Sequence, residues 1–267
     1  EIKLIFIHLN IDEMNKVILR TILFFFFFFV LIVVSVYFYQ EKLIFDQSKL
    51  DQNYTFQFQN KFDEINLKTS NNETLNGLIF YAEKPKGVIY FLHGNSRDLS
   101  GWGDVAPYFL DNNYDIFMID YPGFGKSTGE INNEKQFLAD IQIGYDYLKK
   151  KYNENQIVIL GYSIGTGPSA YLASKNHPKT LILVSPYYSF KSLSKTKVPF
   201  IPSFILKYPL ETNKFLENVT APTYIFHGKK DGVISIENSR KLIKELNKQT
   251  ISLTEIQDIG HNGILKN

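Results

Sequence analysis

The chain contains no cysteine among its 267 residues. That absence removes disulfides, thiolate metal sites and a cysteine nucleophile together, while leaving the compartment open. Neither charge sign is in marked excess: 29 Lys and Arg stand against 27 Asp and Glu, a net +2. No basic block with interleaved aromatics occurs, so no nucleic-acid partner is expected. Histidine is sparse, five in all, and forms no spaced cluster with carboxylates; His8 and His177 stand alone. Neither a metal nor a cofactor is expected. Internal repeats are also missing. What remains is enough chain for one large α/β domain and too little for two domains with linkers.

Charge also vanishes locally. Residues 21–39 carry none, and six phenylalanines, 24–29, lead into Val30-Leu31-Ile32-Val33-Val34. Such a run, apolar all round, is long enough to cross a bilayer as a helix. Lys16 and Arg20 precede it, which by the positive-inside rule puts the amino end in the cytoplasm and the rest on the extracytoplasmic side, periplasm or lumen. A cleaved signal peptide is the competing reading, but the run exits through Val36-Tyr37-Phe38-Tyr39 rather than small residues. The chain starts at Glu1, and Met14-Asn15-Lys16 resembles a natural start, so residues 1–13 are read as untranslated or unimportant. The expected division is therefore 1–16, a short N-terminal segment; 17–39, a transmembrane signal anchor; 40–60, a polar linker; and 61–267, an α/β domain.

Within that domain, β-rich runs at 62–68, 75–81, 87–92, 115–120, 156–160, 180–184, 222–227 and 251–256 alternate with helix-like stretches at 101–112, 133–152, 164–175 and 236–247. The runs 88–92 and 157–160 are apolar on both faces, as central parallel strands are. Phe137, Ile141, Tyr145 and Leu148 share one helical face. The alternation predicts a doubly wound, mostly parallel sheet with helices on both faces, and the leading strands suggest a hairpin that makes it mixed. Residues 187–219 break the rhythm with Pro199, Pro202, Pro209 and an apolar cluster, which reads as a lid-like insertion or a helical connector.

Three glycine motifs compete for attention. Gly161-Tyr162-Ser163-Ile164-Gly165 follows a strand and precedes a helix, the context that makes G-x-S-x-G a nucleophile elbow. The pattern alone arises by chance in roughly one chain in ten, and Gly125 to Gly129 also matches it. That second match ends like a phosphate-binding loop, but the first glycine such a loop needs is Asp120. Gly165 to Ala170 imitates a dinucleotide fingerprint without the acidic residue that would hold a ribose. Context favours Ser163.

A serine needs a base, and the base an orienter. Asp231 lies just beyond one strand and His261 just beyond the next, giving the order Ser163, Asp231, His261 at strand carboxyl ends. Together with His93-Gly94-Asn95, Asp120-Tyr121-Pro122-Gly123-Phe124-Gly125-Lys126-Ser127, His227-Gly228-Lys229-Lys230-Asp231 and Gly260-His261-Asn262, these motifs make the chain resemble the α/β-hydrolase superfamily. The resemblance is in particular to its membrane-anchored, serine aminopeptidase-like members and runs over about residues 42–261. The resemblance implies that fold, with Ser163 as nucleophile, His261 as base and acid, and Asp231 as orienter. The backbone N–H groups of Ile164 and Asn95, or failing the latter Ser96, are the expected oxyanion donors.

His93 and His227 read as loop-fixing hydrogen bonders, Asp120 as part of a structural turn, and Asp258 as surface. Relatives usually continue beyond the histidine into a final helix, so part of the sheet is expected to lie uncovered. Pro168 falls early in the helix after Ser163, where it is tolerated only in the first turn. The function expected is hydrolysis of a carboxylic ester, thioester or lipid acyl bond, the partners being a small acyl or lipid substrate and the membrane. A serine peptidase and a catalytically silent binding protein are the alternatives; oligomeric state is left open.

Overall fold

A computed structural model describes residues 11–266, so His8 and the first ten residues of the N-terminal segment lie outside the described residues. The chain forms two compact units, residues 1–40 and 41–267. The first is carried by helix α1, Ile11–Ile44, whose last turn belongs to the second unit. No glycine or proline interrupts α1, so nothing breaks its backbone hydrogen bonding. Phe24 to Phe29 all face outward, and an 18-residue window reaches a mean hydropathy of 3.0 with no residue buried. By length and composition it can cross a membrane.

The second unit is built on an eight-stranded sheet. Its strands are β1 Phe62–Lys68, β2 Thr74–Phe80, β3 Val88–Leu92, β4 Asp115–Ile119, β5 Ile157–Tyr162, β6 Thr180–Val184, β7 Thr223–Gly228 and β8 Ile251–Ile256. The spatial order is β1-β2-β4-β3-β5-β6-β7-β8. β1 and β2 pair antiparallel, as do β2 and β4; all other pairs are parallel. This is the expected mixed, doubly wound arrangement.

Alternation along β3 shows why both faces need cover. Val88, Tyr90 and Leu92 enter one core with Phe137, Ile141 and Tyr145 of α4, Glu134–Lys149, while Ile89 and Phe91 enter another with Leu99, Ala106 and Leu110. Side chains two apart share a face, so a strand with no polar position must be sandwiched. Asn133 caps α4, its side chain accepting from the Gln136 N–H at 2.9 Å. Ile264 is buried in the second cluster from a 3-10 turn over His261–Lys266, so the segment after the histidine does add cover to the sheet.

Two expectations need correction, and the two readings of a third segment are resolved. The stretch 101–112 is not one helix but α2, Leu99–Trp102, a 3-10 turn, and α3, Ala106–Leu110. The break falls at Gly103, where a Cβ would collide with the Phe58 ring. The segment 40–60 is not a loose linker. Phe45 is 2% exposed and meets Phe137 and Tyr208 edge-on, at 5.6 and 5.3 Å, while Glu41 accepts from Lys207 and Tyr208 at 2.9 and 3.0 Å. Its polar residues are tied down by long-range hydrogen bonds, which composition does not reveal. Finally, 187–219 is a helical connector: α6, Phe190–Lys197, and α7, Thr212–Glu217, link β6 to β7, and Phe215 of α7 packs against Tyr171 of α5, Thr166–Lys175.

Candidate active site

The sheet reverses its winding direction at β3, with β4 on one side and β5 on the other. Leu92 pairs with Gly161, so the loop after β3 and the turn after β5 emerge side by side. That crevice is where parallel sheets gather ligands.

Ser163 sits in the turn after β5 with φ 53°, a left-handed conformation that costs a non-glycine residue about 1–3 kcal/mol. The chain can turn this tightly because its flanking glycines lack a Cβ. One at Gly165 would strike the carbonyls of Leu92 and His93; one at Gly161 would strike the Ser169 hydroxyl and the Gly165 carbonyl. Pro168 is the third residue of α5, and its missing N–H leaves the Ile164 carbonyl without its helical donor. The Tyr187 hydroxyl donates there instead, at 3.1 Å.

His261 Nε2 lies 2.9 Å from Ser163 Oγ, and His261 Nδ1 lies 2.7 Å from Asp231 Oδ2. Asp231 carries no proton to donate, so Nδ1–H donates to it and Nε2 is left to accept from the serine. Asp231 Oδ1 accepts from the N–H groups of Val233 and Ile234, both at 2.9 Å. Burial would raise the Asp231 pKa, but the bonds from His227, His261 and the Ile234 N–H outweigh it and hold the carboxyl well below the usual range. The backbone at His261 is held as well, the Tyr162 hydroxyl donating to its carbonyl at 2.7 Å.

The N–H of Ile164 begins a helix, where no intrahelical acceptor exists. The Asn95 N–H, across the crevice, has no acceptor among the described residues. Neither N–H is committed to a protein acceptor among the described residues. The Asn95 side chain pins the loop instead, with Nδ2 donating to the Ile44 carbonyl at 2.7 Å and Oδ1 accepting from the Asp46 N–H at 2.9 Å.

The remaining sequence candidates do not join the relay, although His227 Nε2 touches its acid, 3.3 Å from Asp231 Oδ2. His93 is fully buried, bonded to the Gly94 carbonyl at 2.8 Å and stacked 4.1 Å from Tyr121. Burial depresses its pKa to about 4. His227 bonds Ser239 and the Ile234 carbonyl. Asp120 accepts from the Leu99 N–H at 3.1 Å, and burial raises its pKa. Asp258 pairs with Lys230 on the surface. Ser127, the serine of the rival pentapeptide, is buried and braces a turn by donating to the Asp120 carbonyl.

Ser163 and His261 open into a cavity of about 540 Å³. Its walls include Arg97, Trp102, Val105, Tyr108, Val233 and Leu265, none of which sequence reading singled out. No residue of 187–219 contributes, so the lid expected there is absent from the wall. The span 95–108 takes that position. The signal for it lay in the adjacency of two strands, which motifs do not encode.

Comparison with known proteins agrees with this fold. The family profile described as serine aminopeptidase, S33, matches residues 83–213. A protein of Acanthamoeba polyphaga mimivirus assigned to the alpha/beta hydrolases is 29% identical over 239 residues, 84% of this chain and 87% of that one. Human alpha/beta hydrolase domain-containing protein 17B is 30% identical over 188 residues, 67% of this chain; the match spans 62% of the human protein. Among solved structures, an esterase of Pyrococcus furiosus superposes with a TM-score of 0.65 at 18% identity, covering 82% of this chain and 90% of that one. At that identity the likeness establishes the fold.

Proposed function

Because the chain belongs to the α/β-hydrolase superfamily, we propose that it is a serine hydrolase that cleaves acyl bonds through a covalent acyl-enzyme. The observation that carries this reading is the continuous relay from Ser163 Oγ through His261 to Asp231, at 2.9 and 2.7 Å. His261 takes the serine proton as Oγ attacks the carbonyl, and the N–H groups of Ile164 and Asn95 receive the developing oxyanion. His261 then gives the proton to the leaving group. Water, activated by the same imidazole, releases the acid and restores the enzyme.

Esters, thioesters and lipid acyl groups are the substrates this reading favours, because Trp102, Val105, Val233 and Leu265 give the cavity an apolar side. The match to a serine aminopeptidase profile keeps amide bonds in the test panel. Helix α1 anchors the protein in a membrane with its amino end in the cytoplasm, as Lys16 and Arg20 direct.

The test is a fluorophosphonate probe followed by p-nitrophenyl esters of graded chain length and aminoacyl-anilides. The wild type is expected to label and to turn over the esters; Ser163→Ala is expected to do neither while melting normally. Ester turnover retained by Ser163→Ala would overturn the assignment.

A further inference from the structure

The cavity holds a cation that the proposed chemistry does not use. Arg97 lines the same space as Ser163 and His261; it is exposed, and among the described residues no ion pair or hydrogen bond engages it. The neighbouring acids do not neutralise it. Asp98 is engaged by Ser48 and by both donors of Ser100, Asp231 is committed to its histidines, and Asp104, which also lines the cavity, forms no ion pair with Arg97.

Its position is set by the fold. Ser96 and Arg97 are both left-handed, with φ 62° and 60°, in a loop clamped by the Asn95 carboxamide and by the Trp102 indole N–H on the Ser96 carbonyl at 3.1 Å. The Arg97 stem runs over Gly101, with Cδ 3.3 Å from where a Cβ would stand. The absence of that Cβ gives the side chain its track along the wall. Its charge reaches Tyr162, the residue before the nucleophile, where it opposes the upward push of burial and of Asp231 on the phenol. A planar guanidinium with free donors suits oxyacid anions above other ligands.

We infer that Arg97 is a specificity-determining residue that docks a carboxylate or phosphate carried by the substrate close to the scissile acyl bond. This inference rests on the serine hydrolase reading, which it narrows to acyl esters with an anionic acyl or leaving portion. Arg97 takes no part in bond making; it lowers KM for the charged substrate through one charge-assisted contact.

Two matched pairs separate the anion sources. Mono-p-nitrophenyl glutarate against p-nitrophenyl valerate tests a carboxylate on the acyl side; lysophosphatidate against the monoacylglycerol of the same chain tests a phosphate on the leaving side. The full-length wild type is expected to favour the anionic member of at least one pair in kcat/KM. Arg97→Gln should cut that preference by about tenfold or more through KM, the size of one charge-assisted hydrogen bond. Arg97→Lys, which keeps charge without the fork, should retain part of it, and added salt should erode it. No anionic preference in either pair, or one that survives Arg97→Gln in a normally melting protein, would overturn the inference. If the neutral esters are cleaved in a Ser163-dependent way, that failure leaves the hydrolase reading standing. If Ser163→Ala changes nothing for either member, both fall.

Discussion

Replacing Asp231 by Asn is the sharpest test of how the relay works. Asn at 231 can keep its carbonyl oxygen on the N–H groups of Val233 and Ile234, each 2.9 Å from Oδ1 in the parent, so the turn survives. Its NH₂ group then faces His261 Nδ1, where a carboxylate oxygen stood at 2.7 Å. Two donors cannot share that gap, so the ring proton moves to Nε2 and confronts the Ser163 hydroxyl with no lone pair to receive its proton. The same exchange removes a negative charge from beside the imidazolium that forms during attack. At 2.7 Å and an effective dielectric near 20, that attraction is about 6 kcal/mol. A loss of about ten-thousandfold in kcat, or about 5 kcal/mol, follows and agrees with what this exchange does in well-studied triads. The assay is kcat/KM on a p-nitrophenyl ester at neutral pH beside a thermal melt. A loss under about tenfold with an unchanged melt would refute the orienting role of Asp231. The acid limb gives a second readout. The Asp231 pKa is depressed in the fold, so its stabilising contribution is complete above the unfolded value near 4 and is lost as pH falls below it. Asp231→Asn should flatten that part of the acid unfolding curve.

Tyr187→Phe should lower stability by about 1–2 kcal/mol, seen as a lower denaturant midpoint, because the Ile164 carbonyl beside Pro168 then loses its donor. An unchanged midpoint would show that water replaces the hydroxyl. His93, whose pKa burial holds near 4 despite Asp120 3.9 Å away, should show no imidazole titration by NMR above about pH 5. A titration near 6.5 would contradict its burial. Expressed in a eukaryotic host, the protein should shift in mass on endoglycosidase treatment, since Asn53, Asn72 and Asn218 are exposed and each begins an N-x-Thr triplet. No shift in a membrane-bound protein would place the catalytic unit on the cytoplasmic side.

Much of this molecule was legible before its fold was known, because its strands are marked by runs that only a two-sided sheet can bury. Even the misjudged ends have local reasons. β5 runs to Tyr162 rather than stopping at Leu160, since Gly161 and Tyr162 still pair with Leu183 and Val184 of β6. That Ser163, Asp231 and His261 would come together was legible from strand context, as the backbone must deliver each at a strand end. The cavity wall was not. Arg97 owes its position to two left-handed residues without a glycine between them, and Trp102 to a helix broken so that Phe58 can pack on Gly103. Both are decisions of packing between segments far apart in sequence. The burial of Phe45 was hidden for the same reason, since its partners Phe137 and Tyr208 lie in two distant parts of the chain.

That buried residue fixes where proteolysis could separate the α/β unit from the apolar helix with its packing intact. A cut on the amino side of Glu41 leaves Glu41 on Tyr208, Phe45 in its aromatic seat, and the Ile44 carbonyl and Asp46 N–H on the Asn95 side chain. A cut after Asp46 removes all of these contacts and frees the loop that carries the Asn95 N–H. The same protease activity, displaced by six residues, would therefore leave the Asn95 loop braced at one position and free it at the other.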